Sequence, residues 1–233
     1  MIDFHSHILP GVDDGSQNVE MTRQLLEEMA RQGVQTVVAT PHFYATSDDP
    51  ETFLRRRAAA LEKVAELQGE YPQIVPGAEV AYFEGMSHSG VLDRLQLGTS
   101  GLLLVEMPFC PWPRRMIHEV CELQALTGLI PVLAHVDRYC KKDQFLGFMD
   151  QLSEAGVLFQ CNASAFEKPF SRKWILKQMK QNNIHFLGSD AHNLTNRPPN
   201  MKKAAQIIQK KLGAEALDQL MAYTAACLYN QSV

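Results

Sequence analysis

The residues best suited to chemistry in this 233-residue chain are histidines and carboxylates, and they recur at one kind of position. His5 and His7 stand near the start, followed by Asp13 and Asp14. Further along come His42 in Thr-Pro-His, then Glu79, Glu106 and His135, and finally Asp190 and His192 in Ser-Asp-Ala-His. Alternate side chains of an extended chain share a face, so His5 and His7 can converge on one ion. Taken alone, each piece is weak. A histidine pair beside a strand is usually a satisfied polar pair, and an aspartate before a loop is often only a helix cap. A carboxylate that closes an apolar run, as Glu79 and Glu106 do, is costly to bury unless paired or metal-bound. Together, the imidazoles and carboxylates of His5, His7, Asp14, His42, Glu79, Glu106, His135, Asp190 and His192 point to metal binding. With no thiolate among them, the set suits manganese, iron or zinc.

So many ligands exceed what one ion takes, and two or three ions are implied. Three divalent ions, the carboxylates of Asp14, Glu79, Glu106 and Asp190, and one bridging hydroxide leave a net charge of about +1. Such a centre draws an anion, and phosphate esters are the obvious class. Clustered metals supply hydroxide near neutral pH and steady the charge on attacking and leaving oxygens. Arg138 follows His135 by three residues, and Arg197 follows Asp190 in Asn-Arg-Pro-Pro. Guanidinium forks match phosphate oxygens bidentately, so both are suited to clamp the ester.

Something must bring these groups together. Apolar runs at 2–5, 35–39, 74–79, 102–106, 130–134, 157–161 and 185–188 read as strands. Helical patterns at 19–32, 51–68, 114–127, 144–154, 172–181, 201–212 and 214–223 alternate with them. The stretch 82–100 is polar and irregular and reads as a loop with one short helix. Strands alternating with helices predict an α/β fold with parallel pairing. Seven runs, mostly apolar and so buried on both faces, fit a closed or nearly closed barrel better than an open doubly wound sheet, and the first helix lacks a Gly-rich entry loop. In a parallel barrel, chemistry gathers at the carboxyl ends of the strands. Each of these strand ends carries a ligand type or, after the sixth, a polar Asn162. Five of the eight histidines fall at that rim, and His88, His118 and His185 do not.

The bulk composition narrows the reading further. A chain that is 45% hydrophobic and 21% charged buries a real core, and the expectation is a single domain over residues 1–233. A net charge of −4 gives no reason to expect nucleic acid as a partner. No segment has the length of a membrane span, and the opening residues read as a strand rather than a targeting segment. Cys110, Cys121, Cys140, Cys161 and Cys227 are odd in number and scattered, with no Cys-x-x-Cys spacing. A cytoplasmic location is therefore expected.

Residues 1–16, MIDFHSHILPGVDDGS, together with TPHF, GAEV, AHVDRY and SDAHN…RPP, resemble the PHP (polymerase and histidinol phosphatase) superfamily. Within it, the chain is most similar to the bacterial tyrosine-protein phosphatases found with capsule and exopolysaccharide genes. The resemblance implies a distorted (β/α)7 TIM-like barrel holding three metal ions, commonly Mn2+. It implies that His5, His7, Glu79 and Asp190 hold one ion, and that Glu79 bridges to a second held by Glu106 and His135. Asp14, His42 and His192 are implied to hold the third. A metal-bridging hydroxide is implied to attack phosphorus while Arg138 and Arg197 grip the phosphate, with no phosphocysteine step. The implied substrate is a phosphotyrosine protein, a bacterial tyrosine kinase regulating capsule synthesis. Where many relatives have Pro-Glu, this chain has Val136-Asp137, which removes no ligand. Rival readings are a small-molecule phosphatase of the histidinol-phosphate type, a nuclease, and a non-catalytic scaffold that binds the kinase. The acidic balance disfavours the nuclease. The intact ligand set disfavours the scaffold.

Overall fold

The computed structural model describes residues 1–67, 69–140 and 143–230. Its strands are β1 (Ile2–Ser6), β2 (Thr36–Ala39), β3 (His42–Phe43), β4 (Gln73–Pro76), β5 (Glu79–Ala81), β6 (Leu102–Glu106), β7 (Ile130–Leu133), β8 (Leu158–Asn162) and β9 (Phe186–Gly188). Its helices are α1 (Val19–Arg31), α2 (Pro50–Lys63), α3 (Arg114–Thr127), α4 (Asp143–Glu154), α5 (Pro169–Lys180), α6 (Met201–Leu212) and α7 (Ala214–Leu228). Local chemistry sets several of these limits. The Asn18 side chain accepts from Met21 N to cap α1, Asp49 accepts from Thr52 N to cap α2, and Gly128 ends α3 in the left-handed region. The predicted end of the second helix, Gln68, lies outside the described residues. The last helix runs beyond the expected Tyr223 to Leu228. The loop expected over 82–100 holds two short 3-10 turns, at Met86–His88 and Leu92–Arg94, rather than one helix.

The main departure from the sequence reading lies in the second and third strands. The third expected run splits into β4 and β5, and the second is resumed beyond Pro41 by β3. Pro41 has no N–H to give, and Gly77 lies where a Cβ would come within 2.5 Å of the Leu97 side chain. The ladder survives the break: Gly77 N donates to Ala39 O at 2.8 Å and Glu79 N to Pro41 O at 3.0 Å. Every pairing between these strands is parallel, in the orders β1-β2-β4 and β3-β5-β6-β7-β8-β9. A Ser6–Ala191 bridge closes β9 onto β1, with Asp190 N donating to His5 O at 2.8 Å and His7 N to Ala191 O at 2.9 Å. The expected distorted seven-stave (β/α) barrel is the fold.

Its interior divides by depth. Phe4, Val38, Leu102, Leu104, Val132 and Phe186 form an apolar floor that also takes Leu228 of α7. Phe4 and Phe186 stack at 3.9 Å between centroids across the seam. Truncating Phe4 to alanine removes about 3–5 kcal/mol of stability by the usual cost of a core cavity. A second core, including Leu25, Leu26 and Met29 of α1 and Leu103 and Val105 of β6, packs helices on the outside of the sheet. Along β6, Leu102 and Leu104 belong to the floor, and Glu106 continues the same face to the rim.

Strand β1 breaks that alternation. Its register against β2 slips between Asp3 and Ser6, the signature of a bulge. Consequently Phe4 lies in the floor while its neighbour His5 also turns inward, against Gln160 and Glu79.

Candidate metal centre

His5 and His7 are fully buried, and glycines make room for both. A Cβ on Gly188 would lie 2.6 Å from His5 Cβ, and one on Gly15 would lie 2.1 Å from His7 O. His5 Nε2 is 3.1 Å from His7 Nε2, 3.2 Å from Glu79 Oε2 and 3.7 Å from Asp190 Oδ1. His7 Nε2 is 3.3 Å and 3.4 Å from the same two oxygens. His135 Nε2 is 2.9 Å from Glu79 Oε1 and 3.3 Å from Glu106 Oε1. Asp14, which is mostly exposed, places Oδ1 3.6 Å from His42 Nε2 and 3.4 Å from His192 Nε2. All nine sequence-predicted ligands therefore meet in one cluster at the rim.

Their grouping is more interlocked than expected. Donor atoms within 4.8 Å of one another form three sets: His5, His7 and Asp190; His7, Asp14, His42 and His192; and His42, Glu79 and Glu106. His42 thus stands with Glu79 and Glu106 as well as with Asp14 and His192, and His7 joins two sets. His88, His118 and His185 lie elsewhere, as expected; His118, for instance, pairs with Glu122 on α3.

Behind the donor atoms, hydrogen bonds fix which ring nitrogen faces inward. His7 Nδ1 donates to Asp13 Oδ2 at 2.6 Å, His5 Nδ1 to Gln160 Oε1 at 3.2 Å, and His192 Nδ1 to the Asp190 carbonyl at 3.0 Å. Each leaves an Nε2 lone pair for the cluster. Gln160 Oε1 also accepts from His135 N at 2.7 Å, and its amide donates to Asn162 Oδ1 at 3.0 Å. Asn162 in turn donates to Asp190 Oδ2 at 2.9 Å. Gln160 escaped the sequence reading. Its only signal was an amide inside an apolar run, two residues before Asn162. Asp13, beside Asp14, carries no sequence signal of this role.

The charge balance shows what kind of ligand the cluster suits. Burial alone would lower the His7 pKa, yet Asp13, Asp190 and Glu79 hold it well above the ordinary imidazole value. Burial likewise opposes protonation of His135, but Glu106 and Glu79 raise it to about 9. Burial would raise Glu79 and Asp190, but the neighbouring imidazoles, His5 foremost, hold both well below the carboxylate range. His192 moves the other way, to about 4, through burial and the nearby His7 and Arg197 charges. A field that retains protons on buried imidazoles equally favours a cation. Glu79 Oε2 and His42 Nδ1 lie 3.0 Å apart, yet neither has a hydrogen-bond partner, nor has His135 Nδ1. Leaving such buried atoms unmatched costs about 1–3 kcal/mol each. A divalent ion between carboxylate oxygens and ring nitrogens matches this donor set.

Backbone strain also concentrates here. Four non-glycine residues among those described have positive φ, and His135 (34°) and Asp190 (56°) are two of them. Arg138 donates to Asp190 Oδ2, and Arg197 donates to Asp190 Oδ1 at 2.6 Å and lies 2.7 Å from His192 Nε2. Each arginine keeps about a third of its side chain exposed, 33% and 35%. The cysteines form no disulfide; Cys110 is exposed, and Cys140 and Cys161 are buried.

A β/α barrel with an imidazole–carboxylate centre on its rim and two arginines beside it defines a class, the metal-dependent hydrolases. The family described as capsular polysaccharide synthesis, CpsB/CapC, matches residues 1–230, and the chain belongs to it. The tyrosine-protein phosphatase CpsB of Streptococcus pneumoniae is 32% identical over 235 positions covering 94% of each chain. The tyrosine-protein phosphatase YwqE of Bacillus subtilis (strain 168) is 30% identical, covering 100% of this chain and 93% of its own. A crystal structure from work on YwqE and CpsB, described as unique metal-dependent tyrosine phosphatases, superposes with a TM-score of 0.86 at 27% identity. It covers 100% of this chain and 96% of that one.

Proposed function

We propose that this chain is a metal-dependent protein-tyrosine phosphatase, a phosphoric monoester hydrolase acting on a phosphotyrosine protein. The physiological substrate in this reading is a bacterial tyrosine kinase that regulates capsule or exopolysaccharide synthesis, the protein acts in the cytoplasm, and residues 1–233 work as one domain. No helix among the described residues is long and apolar enough to cross a membrane. The observation that carries the reading is the meeting of nine imidazoles and carboxylates, Glu79 and Asp190 among them, with both arginines on Asp190.

His5, His7, Glu79 and Asp190 would hold one ion, Glu79, Glu106 and His135 a second, and Asp14, His42 and His192 a third, with Mn2+ the favoured metal. Bound divalent ions supply hydroxide near neutral pH and offset the charge that develops on phosphate oxygens. The protein's own share is orientation. Asp13, Gln160 and the Asp190 carbonyl hold three imidazoles in the tautomer that turns Nε2 inward. The forks of Arg138 and Arg197, steadied by the Asp190 carboxylate, bind phosphate oxygens and set the ester's angle of approach. No thiol nucleophile is needed: burial pushes the Cys161 thiol well above its usual range.

The test is release of phosphate from a phosphotyrosine peptide by purified protein with Mn2+, run beside histidinol phosphate and single-stranded DNA. Preference for the peptide supports the proposal. Turnover confined to histidinol phosphate or DNA, or none at all, overturns it.

A further inference from the structure

Large apolar side chains stand exposed in loops that follow the strands, and two of them are aromatic rings set on imidazoles of the centre. Tyr44, just after β3, is 41% exposed and stacks on His42 at 5.3 Å between centroids and 26° between planes. Phe109, in the loop after β6, is 55% exposed and stacks on His135 at 6.0 Å and 19°. His42 Nδ1 and His135 Nε2 contact the two oxygens of one carboxylate, Glu79, at 3.0 Å and 2.9 Å. The two rings therefore flank a single point of the cluster.

Neither ring is there by slackness of its loop. Trp112 Nε1 donates to Pro108 O at 2.8 Å and Tyr139 Oη to Met107 O at 2.5 Å, anchoring the Phe109 loop from below. The Arg138 guanidinium lies 5.9 Å from the Phe109 ring, so the aromatic wall and the anion-binding fork are neighbours. On the other side, Asp48 N donates to Tyr44 O at 2.8 Å, and Tyr44 N donates to the Asp48 carboxylate at 2.9 Å. Each loop is braced and each presents its ring at the rim.

We propose that Tyr44 and Phe109 are the walls of an aryl slot that selects phosphate esters of phenols over those of aliphatic alcohols. This rests on the phosphatase reading above. A phosphate gripped beside Arg138 carries its ester group past Phe109, and a phenyl ring there gains stacking that a serine or threonine side chain cannot. The rings act on the substrate directly, and neither is a metal ligand.

Direct binding of phenylphosphonate and methylphosphonate, measured by calorimetry, tests this without any turnover. In wild-type protein with Mn2+, phenylphosphonate should bind the tighter of the two. Tyr44→Ala and Phe109→Ala should each raise its Kd about fivefold and together ~20-fold, the range of aromatic pairing, with methylphosphonate changed less than about twofold. Tyr44→Phe and Phe109→Tyr should retain wild-type selectivity, because a ring rather than a hydroxyl is required. Metal content and melting temperature, measured on every variant, distinguish a lost wall from a collapsed centre. An equal rise for both phosphonates, or no wild-type preference for the phenyl compound, overturns the slot. A wild-type protein that prefers phenylphosphonate yet releases no phosphate from phosphotyrosine peptide supports the slot while overturning the proposed reaction.

Discussion

Asp13→Asn isolates orientation from ligation, because Asp13 touches ligands without being proposed as one. Its carboxylate takes three donors: His7 Nδ1 at 2.6 Å and His42 N at 3.0 Å on Oδ2, and Gly15 N at 3.0 Å on Oδ1. An asparagine has only one acceptor oxygen. Turned one way, its amide nitrogen faces the Gly15 N–H. Turned the other, it faces both His7 and His42 N, and His7 must carry its proton on Nε2, where the lone pair is needed. The first orientation is the less costly. It keeps the tautomer but replaces a charge-assisted hydrogen bond by a neutral one, a difference of about 1–1.5 kcal/mol. Neighbouring distortion brings the loss in metal affinity to about 10–100-fold, the usual range for such partners. The Gly15 mismatch, about 1–3 kcal/mol, weakens the metal-free and metal-bound forms alike.

Protons sharpen the prediction. His7 is held protonated well above the ordinary range despite its burial, largely by Asp13, so metal must displace that proton near neutrality. Removing the Asp13 charge makes the displacement easier. The affinity deficit should therefore shrink toward pH 7 and widen as pH rises. Mn2+ affinity by competition with a chromogenic chelator, at a series of pH values, reads both effects. Melting in excess chelator measures the structural share separately. Affinity within about threefold of wild type across the series would refute the orienting role and leave Asp13 a purely structural residue.

Asp190→Ala should abolish turnover and metal content together, whereas Arg138→Ala should lower kcat/KM about 10²–10³-fold with metal content unchanged; loss of metal from the arginine variant would show that it acts by holding Asp190. Chelation should inactivate the enzyme, while iodoacetamide, which reaches the exposed Cys110, should leave activity within about twofold. His185, away from the centre, has its pKa lowered to about 4 by burial, and its Nδ1 accepts from Phe159 N at 3.0 Å. The unfolded chain takes that proton first, so stability present above pH ~6.5 is lost as pH falls toward 4, on the order of 2 kcal/mol. Burial raises Asp3 to about 6, which acts in the opposite sense over part of that window. Chemical denaturation of metal-free wild type and His185→Asn should therefore give a difference that diminishes on acidification, and parallel pH curves would sink the assignment.

The donor residues were legible because each of them ends or follows an apolar run, and a barrel converts that linear fact into convergence. What escaped the sequence depends on pairing between distant segments. The two-residue strand at His42–Phe43 has no periodicity to read, and the close approach of Leu97 to Gly77 exists only in space. Gln160 sits among apolar neighbours, and only the approach of His5, His135 N and Asn162 reveals its use. The sequence offers Arg138 and Arg197 separately as phosphate clamps. Their common attachment to Asp190, 52 residues from one and 7 from the other, is a property of space alone.

The bulge in β1 ties fold to site most directly. Strict alternation would let only one of Phe4 and His5 face inward, so a regular strand would complete either the floor or the centre. The slip between Asp3 and Ser6 turns both inward, and Ser189 N donating to Asp3 Oδ1 at 2.7 Å fastens the bulged strand to the segment after β9. That same seam, through Asp190 N on His5 O, delivers the Asp190 carboxylate to His5, His7 and the two arginines. The contacts that close the barrel therefore also assemble the centre. A change that restored regular pairing in β1 would cost either the apolar floor or metal binding, even if every ligand stayed in the chain.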